Sequence, residues 1–367
     1  MTITDVRIHP VVSERHYTTT IAKPGQGLQE GVERSYYLIL EVNTDEGITG
    51  FGEVSDINRV PDLAETTQIL KAALVGEGPF NTERVLDKLL VGTPLICAVD
   101  LALHDLQGKL LNRPVSDLMG GRVRDRVLAS WVVYIRGAEH LDEEVSAKVE
   151  MGFKAFKMKV GADLDLDERR VQIVREIAGE EAEIKLDANG AWTVEQAIEC
   201  ITRLSRYDIA GVETPIPPED VDAMVVVRKN VEVPIIEHGG ISPRHLEMIQ
   251  KGAVDAFKIS VCSGGIRRAK KIATLAEVGG VACYVGSTVE MGPGTAAGIH
   301  FAVSTKNTDR YGADLRGPLL LKDDVLSTPI QYTDGYLQIP EGPGLGVEID
   351  RGQLEALRFD PAAEMGR

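Results

Sequence analysis

The segments Lys154-Ala-Phe-Lys-Met-Lys-Val160 and Ala182-Glu-Ile-Lys-Leu-Asp187 are short apolar strands with ionisable side chains near their carboxyl ends. Segments of the same kind recur at residues 209–213, 233–237, 256–260 and 282–286. Helix-length stretches, such as residues 193–204 and 265–277, lie between them. Sustained alternation of strand and helix predicts a parallel sheet, either open or closed into a barrel.

The ends of these strands favour the closed form. Each strand carries a polar or ionisable residue at or near its carboxyl end: Lys159, Asp187, Glu213, Glu237, Lys258 and Ser287. In an open sheet such residues would spread along an edge, whereas in a barrel they converge on one mouth. We therefore predict an α/β fold with a (β/α)8-type barrel, a modified TIM barrel, over residues 127–325.

The residues before the barrel follow a different pattern. Strands at residues 36–42 and 48–54 flank a turn at residues 43–47, as in a β-hairpin. Thr93 and Pro94 resemble a helix start, and an apolar helical pattern runs over residues 95–111. We predict an N-terminal α+β capping domain over residues 1–126, completed by a C-terminal segment, residues 326–367, that packs back on it.

Composition limits the possible partners. The 367 residues carry a formal net charge of −16, so nucleic acid and anionic membranes are not expected as main partners. A small anionic substrate stays possible, because a few buried lysines can dominate locally. The four cysteines are far apart, and neither a signal-peptide pattern nor a long apolar run is visible. We expect a cytoplasmic protein with reduced, buried thiols.

Three acidic residues, Asp187, Glu213 and Glu237, occupy equivalent positions on consecutive barrel strands. Each could be an ordinary polar strand end, but three carboxylates directed into one mouth would repel each other unless a cation neutralises them. Oxygen ligands select a hard divalent ion. The sequence therefore predicts a Mg²⁺ or Mn²⁺ site.

Lysines flank this acidic set. Lys157 and Lys159 are two residues apart in a strand, so both side chains point to the same side. A nearby cation should make both lysines easier to deprotonate, as a general base requires. Alone, this pair could be a solvated strand end. Lys258, however, lies roughly across the barrel from Lys159, so a carbon between them can lose a proton on one face and gain one on the other.

The site residues belong to longer motifs: Lys157-Met-Lys159, Asp187-Ala-Asn189-Gly-Ala-Trp192, Glu213-Thr-Pro215 and Phe257-Lys-Ile-Ser260. Together these motifs resemble the enolase superfamily, in particular the muconate cycloisomerase-like subgroup of the mandelate racemase/muconate lactonizing enzyme family. Beyond the site, residues 120–125, 284–290, 314–321 and 343–346 add to this resemblance, which covers nearly the whole chain.

The resemblance implies roles for individual residues. Asp187, Glu213 and Glu237 would bind Mg²⁺ or Mn²⁺, which in turn would bind the carboxylate of a small-molecule substrate. Lys159 would act as acid/base on one face, with Lys258 on the other, and Lys157 would neutralise the carboxylate. Asn189, His238 and Glu290 would have supporting roles. Capping-domain loops at residues 16–28 and around Asp56 would close over the substrate, and a homo-oligomer is expected.

Two positions depart from the family pattern. The fifth-strand motif usually reads Asp-Glu-Ser, whereas this chain has Glu237-His238-Gly239-Gly240. Alignment on the downstream Ser242-Pro243 puts Glu237 at the ligand position, whereas alignment on the upstream Pro234 puts His238 there. We select Glu237 because the metal prefers oxygen. Thr214 also replaces the Gln or Glu that is common at its position.

The resemblance leaves several reactions open. A muconate-type cycloisomerase comes first, because of the tail and seventh-strand motifs. A racemase or epimerase of amino-acid derivatives would use both Lys159 and Lys258, and a dehydratase of a hydroxy acid or a hydroxyproline-like substrate shares the same first step. A non-catalytic carboxylate binder on the same fold would not need the lysines. Three further features are predicted to be structural: His104, Asp105 and the glycine-rich residues 292–298.

Overall fold

The computed structural model describes residues 1–58, 62–89 and 91–364. The N-terminal part contains five strands: β1 (Ile3–Thr19), β2 (Ala22–Lys23), β3 (Gly27–Leu28), β4 (Val32–Thr44) and β5 (Thr49–Val54). The sheet β1-β4-β5 is antiparallel, and β2 and β3 form a separate small hairpin. The predicted hairpin at residues 36–54 is confirmed: Asn43 of β4 pairs with Thr49 of β5 across a turn that contains Gly47.

Helices follow this sheet along the chain: α1 (Leu63–Leu74), α2 (Thr82–Lys88), α3 (Thr93–Leu111) and α4 (Val115–Leu118). Helices α1 and α3 pack on the sheet, α2 packs on α1 and α3, and α4 packs on α3. Helix α3 has Pro94 in its first turn and ends at Asn112, whose left-handed backbone stops the helix. It packs tightly on β5, because a Cβ atom on Gly52 would lie only 1.8 Å from the Ala98 carbonyl oxygen. His104 is structural, as predicted, since its Nδ1 lies 2.7 Å from the Asp100 carbonyl oxygen.

The second part alternates strands and helices. After β6 (Val127–Leu128), strands β7 to β13 form a parallel sheet in sequence order. The strands are β7 (Ser130–Val133), β8 (Ala155–Lys159), β9 (Glu183–Asp187), β10 (Ile209–Glu213), β11 (Ile235–His238), β12 (Ala256–Ile259) and β13 (Ala282–Val285). The intervening helices are α5 (Leu141–Glu150), α6 (Leu164–Ala178), α7 (Val194–Leu204), α8 (Val221–Asn230), α9 (Pro243–Lys251) and α10 (Gly265–Val278).

A short segment after β13 closes the barrel. Helix α11 (Gly292–Val303) starts with the predicted glycine-rich turn and is buried along its whole length. The chain then passes between the first and last strands of the sheet. The Asp314 amide donates to the Val285 carbonyl at 2.9 Å, and the Ser130 amide donates to the Ala313 carbonyl at 2.7 Å. The predicted modified TIM barrel is thereby confirmed.

The two faces of each barrel strand have different surroundings. Ile236, Ala256, Tyr284 and Tyr311 form a small apolar cluster. Ile235, Phe257 and Ile259 belong instead to the large core that includes the surrounding helices. Since neighbouring residues in a strand point to opposite faces, the small cluster marks the barrel interior.

The C-terminal residues contact both parts of the molecule. After helix α12 (Gly317–Leu320), strands β14 (Tyr332–Thr333) and β15 (Tyr336–Leu337) form a small antiparallel sheet with β6, which precedes the first barrel strand. Helices α13 (Arg351–Ala356) and α14 (Pro361–Glu364) then follow, and the Val12 amide of β1 donates to the Leu357 carbonyl at 2.9 Å. All four cysteines are free and buried. Within the described ranges, no helix is both long and apolar enough to cross a membrane.

Candidate active site

Two lysines of β8 project into the barrel mouth. The Lys157 ammonium lies 2.7 Å from Glu213 Oε2, 3.0 Å from Asp187 Oδ2 and 3.1 Å from Asp314 Oδ2. Lys159 Nζ donates to Asp187 Oδ2 at 2.6 Å and to Asn189 Oδ1 at 3.0 Å. The alternation of the strand therefore places both amines on the interior side, as the sequence predicts.

The protein groups around Lys157 favour its charged form. Burial favours the neutral amine, but Asp187, Asp314 and Glu213 outweigh it and raise the pKa of Lys157 well above its usual value. The physical reason is that buried carboxylates surround this ammonium, so it acts as a fixed positive charge. The expectation that Lys157 loses its proton more easily concerns the site with a cation bound, and it stays a prediction.

Asp187 and Glu213 are fully buried, and the lysines around them favour their charged forms. Burial and the mutual repulsion of the two carboxylates oppose ionisation, but Lys157 and Lys159 lower the pKa of Asp187. For Glu213, Lys157 and Lys258 overcome burial and hold the pKa well below its usual value. The two residues are register partners on β9 and β10, so the sheet itself places them side by side.

Lys258 approaches the acidic pair from another side. Its Nζ lies 3.6 Å from Glu213 Oε1, whereas Lys157 contacts Oε2 of the same carboxylate. Burial lowers the pKa of Lys258, which favours a lysine that can exchange protons near neutral pH. Its side chain fits because residue 286 is glycine, where a Cβ atom would lie 2.0 Å from Lys258 Cε.

The sequence offers two candidates for the third metal ligand, Glu237 and His238, and the two side chains point to opposite faces of β11. His238 is in register with Lys258, and Glu237 is in register with Phe257, which belongs to the outer core. His238 Nε2 lies 3.2 Å from Glu213 Oε1. Glu237 Oε1 instead accepts hydrogen bonds from the Thr214 hydroxyl at 3.1 Å and the His238 amide at 2.6 Å.

The electrostatics of these two residues also differ. Burial raises the pKa of Glu237 to about 8. The surrounding protein groups therefore do little to stabilise the charged form of this carboxyl group. Lys258 lowers the pKa of His238, which favours the neutral imidazole.

The donor set fits a divalent cation. Among the described residues, no three His, Cys, Asp or Glu side chains are already arranged around a common metal position. Lysine ammonium groups instead contact Asp187 and Glu213. Two buried carboxylate oxygens at this place, Glu213 Oε1 and Glu237 Oε2, have no hydrogen-bond partner. Buried carboxylate oxygens without donors are costly, and a hard cation is the partner that suits them.

Three buried residues below the mouth were not assigned a role from the sequence. Asp314 bridges Lys157 and Lys185, whose Nζ lies 3.3 Å from Asp314 Oδ1. The Tyr284 hydroxyl donates to Glu213, and its ring lies 4.2 Å from Lys185 Nζ. Lys185 stands two residues before Asp187, so strand alternation could have identified it. Asp314 gave no such signal, because the closing segment is too short to show a strand pattern.

The remaining supporting residues lie at strand ends. Asn189, with a left-handed backbone (φ 50°), contacts Lys159 as described above. Glu290, which is 1% exposed, accepts from the Ser287 hydroxyl at 2.9 Å and from the Thr288 amide at 2.8 Å. Burial raises the pKa of Glu290, whose Oε1 has no hydrogen-bond partner.

The β2–β3 hairpin lies over the barrel mouth. A Cβ atom on Gly161, just after β8, would lie 3.4 Å from Ala22 Cβ. A Cβ atom on Gly190, just after β9, would lie 3.3 Å from Pro24 Cγ. The hairpin is thus close to the strands that carry Lys159 and Asp187.

Comparison with known proteins agrees with this architecture. Residues 11–120 match the model of the mandelate racemase / muconate lactonizing enzyme N-terminal domain, and residues 140–353 match the enolase C-terminal domain-like model. The chain belongs to the mandelate racemase/muconate lactonizing enzyme family of the enolase superfamily. The resemblance noted in the sequence is therefore confirmed.

Family members of different activity are similar to this chain. The N-succinyl-L-Arg/Lys racemase of Bacillus cereus is 34% identical over 87% of this chain and 89% of its own. Muconate cycloisomerase 1 of Rhodococcus opacus is 33% identical over 85% and 88%. Because these relatives are isomerases, the chain is an enzyme of this isomerase family, and its specific reaction is open between racemisation, epimerisation and cycloisomerisation.

Solved structures of the family have the same architecture. The 2-chloromuconate cycloisomerase of Rhodococcus opacus 1CP superposes with a TM-score of 0.89 at 28% identity, covering 98% of this chain and 100% of its own. The dipeptide epimerase of Enterococcus faecalis V583, complexed with Mg and the dipeptide L-Leu-L-Tyr, has a TM-score of 0.86 at 28% identity and covers 95% and 100%.

Proposed function

We propose that this protein is a divalent-metal-dependent enzyme that moves a proton on the carbon beside a substrate carboxylate, with lysine on both faces of that carbon. The observation that carries the proposal is the placement of Lys159 and Lys258 against different carboxylates, Asp187 and Glu213. Mere binding of a carboxylate would not need two further amines at this position. The substrate is a small-molecule carboxylate.

Asp187 and Glu213 would hold the cation, Mg²⁺ or Mn²⁺, together with a third donor from β11. When bound, the cation supplies positive charge that binds a substrate carboxylate and stabilises negative charge on it. Lys157 acts in the same sense, because its ammonium is buried and held by three carboxylates. It stabilises the charge that develops as the α-proton leaves.

Lys159 and Lys258 transfer the proton to and from the α-carbon. One neutral amine removes the α-proton from its face of the carbon, and the other, protonated, delivers a proton to the opposite face. Burial lowers the pKa of Lys258, which favours its neutral form. Asn189 orients Lys159 through the 3.0 Å hydrogen bond. Two lysine faces of this kind suit racemisation or epimerisation of an amino-acid derivative.

A muconate-type cycloisomerisation is the second candidate. It is favoured by the 33% identity to a muconate cycloisomerase and by the motifs at residues 284–290 and 314–321. In this reaction a substrate carboxylate attacks the conjugated system, and Lys159 alone would protonate the resulting enolate. Dehydration of a hydroxy acid or of a hydroxyproline-like substrate starts with the same proton removal.

Isotope exchange tests the proposal directly. The protein is incubated with Mg²⁺ or Mn²⁺ in D₂O with N-acyl amino acids, dipeptides, cyclic imino acids, hydroxy acids and muconate. We expect deuterium beside the carboxylate of at least one substrate, with a rate that falls at least about 10³-fold in Lys159→Ala for one enantiomer. In Lys258→Ala, the rate of deuterium exchange should fall by the same factor for the other enantiomer.

The matched control is Lys154→Ala, an exposed lysine at the start of the same β8 region. It should leave exchange unchanged. Deuterium in a lactone product, lost only in Lys159→Ala, would identify the cycloisomerase, and loss of water would identify the dehydratase. Substrate binding without exchange in the unmodified protein would contradict the proposal. We also propose that the protein is a cytoplasmic homo-oligomer. Light scattering of the purified protein would test its assembly state.

A further inference from the structure

The fifth-strand region of this protein is unusual for its position in the barrel. The chain has Glu237-His238-Gly239-Gly240 at the end of β11, so a nitrogen donor is present beside an oxygen donor. Which of the two reaches the cation depends on which face of the strand each occupies. The structure supplies that information through the strand register and the contacts of the two side chains.

The register assigns His238 to the interior face. On β11, Ile236 packs with Ala256 and Tyr284 in the interior cluster. His238 lies two residues further along the strand, so it projects to the same side. It is also the register partner of Lys258, an interior residue.

Glu237 occupies the opposite face. It pairs in register with Phe257, which belongs to the core between the barrel and its helices. One of its oxygens is held by the Thr214 hydroxyl and the His238 amide, at 3.1 and 2.6 Å. Both bonds are made by Oε1, and they hold the carboxyl group against Thr214 and the backbone of the strand end.

The position and the exposure of the His238 imidazole suit a metal ligand. His238 Nε2 lies 3.2 Å from Glu213 Oε1, a buried carboxylate oxygen without a hydrogen-bond partner. The side chain of His238 is 54% exposed, so it can adjust towards a cation bound by Glu213 and Asp187. The Glu237 carboxyl group is instead held through Oε1, and its Oε2, which has no hydrogen-bond partner, belongs to a strand position that faces away from the barrel interior.

We propose that His238, rather than Glu237, is the third protein donor of the metal site, which makes this site a mixed one of two carboxylates and an imidazole. This inference rests on the proposed function, which requires a metal at Asp187 and Glu213. Its consequence is a change in metal selectivity. Imidazole suits transition metals, whereas Mg²⁺ prefers oxygen, so the site should prefer Mn²⁺ to Mg²⁺.

Direct metal binding to the full-length protein tests the inference. The chelator-treated protein is titrated with MnCl₂ and with MgCl₂, without substrate, by calorimetry. We expect Mn²⁺ to bind the unmodified protein at least about tenfold more tightly than Mg²⁺. His238→Asn should weaken Mn²⁺ binding by about 10- to 100-fold and Mg²⁺ binding much less.

Two comparison variants separate ligation from indirect effects. Glu237→Gln keeps the shape of the carboxyl group and removes no proposed ligand, so it should affect the two metals equally and leave the preference for Mn²⁺ over Mg²⁺ unchanged. His140→Asn removes another exposed imidazole, 57% exposed, and should change neither affinity. Circular dichroism of each metal-free variant checks that the fold is retained.

A spectroscopic measurement needs no variant. Electron spin echo of the Mn²⁺ complex should show modulation from a directly coordinated imidazole nitrogen, and this modulation should change when histidine is labelled with ¹⁵N. Absence of nitrogen modulation, or loss of Mn²⁺ binding in Glu237→Gln but not in His238→Asn, would overturn the inference and leave the proposed function standing. Failure of the unmodified protein to bind either metal would overturn both.

Discussion

At the scale of single residues, Gly286 determines where the Lys258 amine can stand. A Cβ atom at this position would lie within 2.0 to 2.6 Å of three carbons of the Lys258 side chain. We predict that Gly286→Ala displaces the amine and lowers the α-proton exchange that depends on Lys258 by about 100-fold, because small misplacements of reacting groups are costly. Exchange in D₂O, measured separately for each enantiomer, checks this.

The flexible lysine can move aside, so the melting temperature of Gly286→Ala should change little. Gly78→Ala is the control, because the nearest atom to its added Cβ would be 3.6 Å away. Normal exchange in Gly286→Ala on both faces would show that Lys258 does not need its present position.

At the scale of secondary-structure elements, strand β5 is joined to helix α11 through Glu53. The Met291 and Gly294 amides, at the N-terminus of α11, donate to the Glu53 carboxyl group at 2.9 and 2.8 Å. Burial raises the pKa of Glu53 from 4.5 to about 8, and the nearby Glu290 adds to the effect. The two amide hydrogen bonds favour the charged carboxylate, but burial outweighs them, so the folded protein favours the protonated carboxyl group.

The raised pKa of Glu53 makes the free energy of unfolding depend on pH. The native state holds the proton more tightly than the unfolded chain, so the contribution of Glu53 is complete below about pH 4.5 and is lost as the pH rises to about 8. We predict that Glu53→Gln flattens the decline of the free energy of unfolding across this window. Urea unfolding at a series of pH values measures it.

The control for Glu53→Gln is Glu355→Gln, whose side chain is 71% exposed. It should leave the pH profile as it is in the unmodified protein. If the free energy of unfolding of Glu53→Gln declined with pH as steeply as that of the unmodified protein, another group would be responsible for the decline.

At the scale of the whole molecule, Asp105 joins three distant parts of the chain. Its carboxylate accepts from the Phe51 amide of β5 and from the Leu345 amide of the C-terminal segment, both at 2.9 Å. Lys109 of the same helix donates to it at 2.7 Å. We predict that Asp105→Ala lowers the free energy of unfolding by about 3 kcal/mol, because it leaves buried donors and a cation unpaired.

Urea unfolding at neutral pH measures this effect. The control is Asp117→Ala, a partly exposed residue whose oxygen lies 3.9 Å from Arg113, and it should cost about 1 kcal/mol or less. A cost for Asp105→Ala no larger than that of the control would show that this junction does not stabilise the molecule.

Much of the site was accessible from strand patterns. Parallel strands end at one edge of a barrel, so the strand-end residues Asp187, Glu213 and Lys258 had to meet there. The side chains of Lys157 and Lys159 were likewise placed by the alternation of a strand. The protonation preference of Lys157 was not, because it depends on Asp314, a residue that lies far along the chain.

Residue order and local alternation by themselves predicted the strand–helix alternation of the barrel, the capping hairpin and the helix at residues 93–111, because these features depend on neighbours along the chain. The family was predicted from the resemblance of the site motifs to known enzymes. Only the tertiary structure decided which of Glu237 and His238 faces the interior, since a one-residue change of register reverses every side chain of a strand. It also decided the buried charge balance around Lys157, because the energy of an ion pair depends on distances between strands that the order of residues does not contain.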